Sequence, residues 1–121
     1  MKLEDLEFGD FQEIEPQIVE VIIHAGVVLD GDKIQRIEEG LLGKYSNRYA
    51  LLVNRINHYS HTHESMMRVA RLRNLGGIAI LVYEDFAKQV AVIHELYQRN
   101  VGVFDDRGEA IIWLRNSLAS N

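Results

Sequence analysis

Two short stretches, Tyr49-Ala50-Leu51-Leu52-Val53 and Ile78-Ala79-Ile80-Leu81-Val82-Tyr83, carry no charged side chain at either parity. Successive side chains of a strand point to opposite faces. A strand that is apolar at every position therefore needs cover on both, as parallel strands in α/β sheets have. The chain between and around these runs supplies that cover. Ile34, Ile37, Leu41, Leu42 and Tyr45 fall on one helical face. Asp30 or Asp32 is placed to cap the start of that helix, where negative charge is favourable.

The remaining segments fit the same alternation. Glu7 to Ile14 and Ile18 to Ala25 are strand-like runs on either side of Glu15-Pro16-Gln17, which is a hairpin pattern. His63 to Asn74 reads as a helix with Met66, Val69 and Ala70 facing inward, ended by Gly76-Gly77. Phe86, Val90, Ile93 and Tyr97 make a further helical stripe, opened by Glu84-Asp85. Val101 to Phe104 reads as a short strand. Asp106 and Glu109 form an acidic capping pair for a last helix that turns Ala110, Ile111, Leu114 and Leu118 inward.

The order β-β-α-β-α-β-α-β-α predicts an α/β fold with a mixed, mostly parallel sheet and right-handed crossovers. The first strand is expected at an antiparallel edge. Tyr49 to Val53 is expected between the second strand and Ile78 to Tyr83, parallel to both. With 121 residues and no repeat or linker, residues 1–121 read as a single domain.

Charge and composition narrow the function. Acidic residues outnumber basic ones, 18 to 13, and the formal charge of -5 opposes a phosphate backbone, so no nucleic-acid partner is expected. The absence of cysteine excludes thiol catalysis and cysteine metal sites. The start, Met1-Lys2-Leu3-Glu4-Asp5, lacks the basic and apolar regions of a secretion signal. Apolar runs are too short to cross a bilayer. The expectation is a cytoplasmic protein with no membrane insertion.

The element order, together with Leu51-Leu52-Val53-Asn54, Gly77-Ile78-Ala79-Ile80-Leu81-Val82 and the closing Phe104-Asp105-Asp106-Arg107-Gly108-Glu109-Ala110-Ile111-Ile112-Trp113-Leu114, resembles the STAS domains. Within that family the small bacterial SpoIIAA-like proteins are the most similar. The resemblance runs from about Ile18 to Leu118. It implies a STAS/SpoIIAA-like sheet with helices packed largely on one side. It also implies non-enzymatic regulatory work: docking a partner protein or holding a small ligand, with no cofactor. In anti-sigma-factor antagonists a run of the form Asp-Ser-Ser-Gly-Leu-Gly carries a phosphorylated hydroxyl. Here the corresponding stretch is His58-Tyr59-Ser60-His61-Thr62-His63-Glu64-Ser65-Met66, without the glycine pair. Thr62 is the candidate phosphorylation site in it.

That stretch belongs to the densest polar segment, Asn54 to Glu64, which should leave the carboxyl end of the central strand. Ligands of open α/β sheets collect there. Arg55, His58, Ser60, His61 and Thr62 are therefore the candidate ligand- or partner-binding residues, with Arg68 on the following helix. Arg68 and Arg71 share a face and suit an anion or an acidic partner.

Two alternatives stay open. A metal-dependent hydrolase would use His58, His61 and His63, completed by Glu64 or His24. A lipid-like ligand carrier, a role that the resemblance suggests, would need an apolar cavity beneath the helices. Ser60, Thr62 and Ser65 lack the Gly-x-Ser-x-Gly elbow of a nucleophile, so no catalytic residue is expected, and no metal. A homodimer is compatible with all of this.

Overall fold

A computed structural model describes residues 2–84 and 100–119. After a short 3-10 turn at Leu3–Asp5, the chain forms β1 (Gly9–Glu15), β2 (Ile18–Ile23), β3 (Val28–Leu29) and α1 (Gly31–Lys44). Then come β4 (Tyr49–Asn54), β5 (Ser60–His61), α2 (His63–Val69), β6 (Leu75–Leu81), β7 (Val101–Phe104) and α3 (Arg107–Ala119). The main sheet has the order β1-β2-β4-β6-β7. β1 runs antiparallel to β2, and the other pairings are parallel.

The central placement of β4 follows from its composition. It pairs in parallel with β2 on one side and β6 on the other, as its two-faced apolarity requires. Odd and even residues enter different cores. Tyr49 and Leu51 of β4 join Val19, Val21, Ile78 and Ile80 beneath α1 and α2. Ala50 and Leu52 join Ile18, Ala79 and Leu81 beneath Ala110 and Leu114 of α3. So α1 and α2 share one face of the sheet, and α3 covers the other. The expected strand Val101 to Phe104 and the inward residues of the last helix are found as read.

β1 is the antiparallel edge strand. Edge strands invite pairing with other chains, and acidic residues discourage it. Asp10, Glu13 and Glu15 sit on β1, and its register shifts between Glu13 and Glu15. The hairpin turns through Pro16 and Gln17, with Gln17 at φ 68°. The Gln17 side chain donates to the Arg48 carbonyl at 2.7 Å, and its own carbonyl accepts from Ala50 N–H at 2.8 Å. The turn is thereby tied to the start of β4.

Three features depart from the reading of the sequence. The second helix was expected to reach Asn74 and be ended by Gly76-Gly77. Instead α2 stops at Val69, the backbone reverses at Asn74 (φ 65°), and both glycines lie inside β6. They are there because α3 crosses β6 closely. A Cβ on Gly77 would stand 2.8 Å from Ser117 Oγ, and one on Gly76 would stand 3.2 Å from Leu118 Cδ2. Second, β3 and β5 form a small parallel sheet that no sequence pattern announced. Third, strand β6 begins at Leu75 and ends at Leu81, earlier than the expected Ile78 to Tyr83. The helix expected over Phe86, Val90, Ile93 and Tyr97 lies outside the described residues.

Candidate functional site

The candidate site is the carboxyl edge of the parallel strands, where the loops after β2 and β4 meet. These loops are stitched together by their backbones. Gly26 N–H donates to the His58 carbonyl at 2.8 Å, Ser60 N–H to Val27 at 3.1 Å and Thr62 N–H to Leu29 at 2.9 Å. Gly26 takes φ 81°, a left-handed conformation that glycine adopts without strain. Asn57 Nδ2 donates to the Ile23 carbonyl at 3.0 Å and so closes the end of β2. The segment expected as a polar loop is an ordered crossing with its own short strand.

Arg55 leaves β4 directly. Its guanidinium lies over the Tyr59 ring at 4.1 Å and donates from Nη2 to the Tyr59 carbonyl at 3.0 Å. Tyr59 is buried, and burial pushes its phenol above the usual range. The His61 ring lies 5.7 Å from the Tyr59 ring. His61 Nδ1 is 2.9 Å from Ser65 Oγ, and that hydroxyl donates to the Thr62 carbonyl at 2.8 Å. With its proton so committed, Ser65 Oγ accepts from His61, which assigns the ring proton to Nδ1. Thr62 Oγ1 accepts from Ser65 N–H at 3.1 Å and caps α2, as expected.

Beneath Arg55, Tyr59 and His61 is a cavity of about 60 Å³ between the sheet and the two helices on that face. Val21, Leu51 and Ile80 wall it from the sheet, Ile34 and Ile37 from α1, and Val69 from α2.

The structure brings Arg55, His61 and Thr62 together. His58 and Ser60 lie in the same crossing with exposed side chains. Arg68 is elsewhere. Its Nε pairs with Glu64 at 3.3 Å, and Nη1 meets Gln35 of α1 at 3.4 Å, in a separate groove of about 340 Å³ between α1 and α2. Among the described residues, His, Asp and Glu side chains form no group of three placed to share a metal ion. Ser65, the hydroxyl nearest a histidine, is fully buried. Tyr59 was not among the candidates, and Ser65 was weighed in the sequence only as a nucleophile and set aside. The only signal was an apolar ring and a small polar residue amid a polar run.

A second polar cluster lies on the opposite face of the same edge. Arg107, at the start of α3, meets Glu20 of β2 in a bidentate pair at 2.6 and 2.9 Å. Asn54 Nδ2 donates to Glu20 at 3.0 Å, and Tyr83 Oη donates to Asn54 Oδ1 at 2.8 Å. The Arg107 hydrogen bonds hold the Glu20 carboxyl below its ordinary range.

A five-stranded sheet of this order, with a mostly parallel core and an antiparallel first strand, is a SpoIIAA-like fold. The solved structure of an uncharacterised protein of the DUF3478 family from Shewanella loihica PV-4, described as having that fold, superposes on this chain with a TM-score of 0.57. The match covers 88% of this chain and 91% of that one, at 13% identity, so what the two share is the fold. No family model matches the sequence, and no curated protein matches it. No helix among the described residues is long and apolar enough to cross a membrane.

Proposed function

We propose that this chain is a non-enzymatic, STAS-type binding module that holds a small molecule at the carboxyl edge of its sheet, under Arg55, Tyr59 and His61. One observation carries the reading: an apolar cavity opens at this edge, with Arg55, Tyr59 and His61 in its lining. Ligand sites are concave and mostly apolar, with a few polar groups to fix orientation, and this is such a site in miniature. A lipid-like carrier is the less favoured version, because drug-sized ligands occupy roughly 300–1,000 Å³. The polar residues near the cavity are occupied in holding the loop, which supports binding over catalysis. The test is a thermal-shift screen of small molecules on the purified chain. Hits should raise the melting temperature, and Arg55→Glu should abolish the rise. Hits that survive Arg55→Glu but are lost on changing the α1–α2 groove would move the site there.

A second reading, docking of a partner protein, is favoured by a different observation. Val28 on β3, with Ile56 and Tyr83 on the loops after β4 and β6, have exposures of 52%, 60% and 56%. In that version Thr62 is the regulatory position. A phosphate there would add nearly two negative charges beside the first turn of α2 and repel an acidic partner. A pull-down in which Ile56→Asp loses the partner and Thr62→Glu weakens it would favour docking over small-molecule binding.

A further inference from the structure

What a cavity binds is set by what its wall offers. Eleven of the fourteen residues lining this one are Val, Leu or Ile. Among the described residues, no carboxylate or amide side chain joins them. The strands below give their backbone groups to each other, Val21 beside Val53 and Leu51 beside Ile78. The other three lining residues are Arg55, Tyr59 and His61. Arg55 is half-buried, lies over the Tyr59 ring and donates to the Tyr59 carbonyl. His61 Nδ1 is held by Ser65. Burial pushes the Tyr59 phenol up, as an apolar setting does.

Such a wall rejects charge and does little for water. A buried charge stays unpaired there, and a water needs about two to four polar partners. A neutral apolar molecule gives up no hydrogen bond on entering and removes its own surface from water. Size narrows the class further. The volume is about 60 Å³, and by the same measure one water takes about 10–15 Å³, so the space admits about four heavy atoms. Protein interiors leave few spaces larger than one water. This one lies at the strand ends, where the ligands of such sheets collect. We infer that the site takes a neutral apolar molecule of about three or four heavy atoms, and that Arg55 serves it as a stacked cover and not as a counter-charge. This rests on the small-molecule reading above and specifies its ligand class.

The experiment is titration of the whole chain, read from backbone amide NMR shifts, with propane under pressure, propionate, propylammonium and benzene as probes. Propane should shift the amides of Val21, Leu51 and Ile80. Propionate and propylammonium are of similar length but carry a charge, and should bind at least about tenfold more weakly. Benzene exceeds the space and should leave these amides in place. Val21→Ile adds a methylene to the wall and should abolish the propane shifts; Val53→Ile serves if that variant does not fold. Arg55→Met keeps a long apolar cover without the charge and should hold propane affinity within about threefold. Arg55→Ala removes the cover and should weaken propane by about tenfold. Should Arg55→Met not fold, the comparison of propane with its charged counterparts decides the class without it.

If propionate or propylammonium shifts the cavity amides as tightly as propane, the neutral class is overturned while the small-molecule site stands. If Arg55→Met weakens propane as much as Arg55→Ala does, the cover role is overturned and the site again stands. Benzene binding more tightly than propane overturns the size. Propane shifts that survive the filling of the wall put the guest outside the cavity and overturn the inference. If no probe shifts a cavity amide, both the ligand class and the small-molecule reading fall.

Discussion

Single residues at the back of the sheet report how closely α3 lies. Gly77 is buried, and a Cβ added there would stand 2.9 Å from Ser117 Cβ as well as meeting its hydroxyl. Gly77→Ala should therefore destabilise the protein by about 1–3 kcal/mol, the usual range for an overpacked core. Adding Ser117→Gly should recover most of the loss in a urea melt. If the double variant is no better than the single, the close approach of α3 to β6 is not what demands glycine. Glu20 makes a different prediction, one about pH. Its carboxyl is held low by Arg107, so its contribution is present above its unfolded value, near 4.5, and is lost as acid protonates it below that. Glu20→Gln should lower the melting temperature at neutral pH, and the gap from the parent should narrow progressively as the pH falls below the unfolded value of 4.5. Melting curves across that range check it.

At the scale of elements, α2 is the informative case. It has only seven residues and leans on its cap and on Ser65, its one fully buried side chain. Thr62→Ala should cost about 1 kcal/mol through the lost cap. Ser65→Val should cost more, because it leaves the Thr62 carbonyl and His61 Nδ1 without their shared hydroxyl. Denaturant midpoints of the two variants should rank in that order. The cap at Thr62 was legible in sequence, since a hydroxyl before an acidic first turn is a local signal. So was β4, because apolarity at both parities is written into consecutive residues. The end of α2 was not. A glycine pair reads as a stop until one knows that Ser117, forty residues later, stands against it. β3 and β5 have two residues each, too few to show any periodicity. Arg55 was readable as a candidate, but its stacking on Tyr59 is a fact of three dimensions.

Among the described residues, the main sheet divides two separate cores. Leu41 of α1 belongs to one, Leu114 of α3 to the other, and both are fully buried. Leu41→Ala and Leu114→Ala should each cost about 2–5 kcal/mol. With the sheet between them and no shared neighbours, the two losses should add to within about 0.5 kcal/mol in the double variant. Chemical denaturation of the set tests this, provided the double variant still folds; a milder pair, Leu41→Val with Leu114→Val, serves otherwise. A large coupling would mean that the faces communicate through β4. The arrangement also separates the roles of the faces. Arg55 and the cavity lie on the α1–α2 side, and the Glu20–Arg107 pair lies on the α3 side. Variants of Glu20 should thus shift stability without changing any ligand affinity.

The seam between β3 and β5 has a consequence in time. Three amides, those of Gly26, Ser60 and Thr62, give their protons across it, from both loops in turn. Neither loop can swing out while the other stays in place. Deuterium should therefore enter the three amides at one common rate, faster than at Leu51 or Ile80 in the sheet, as a cooperative unit of low local stability does. A molecule seated under Arg55 would slow all three together, and that shared slowing would be visible before the ligand itself is.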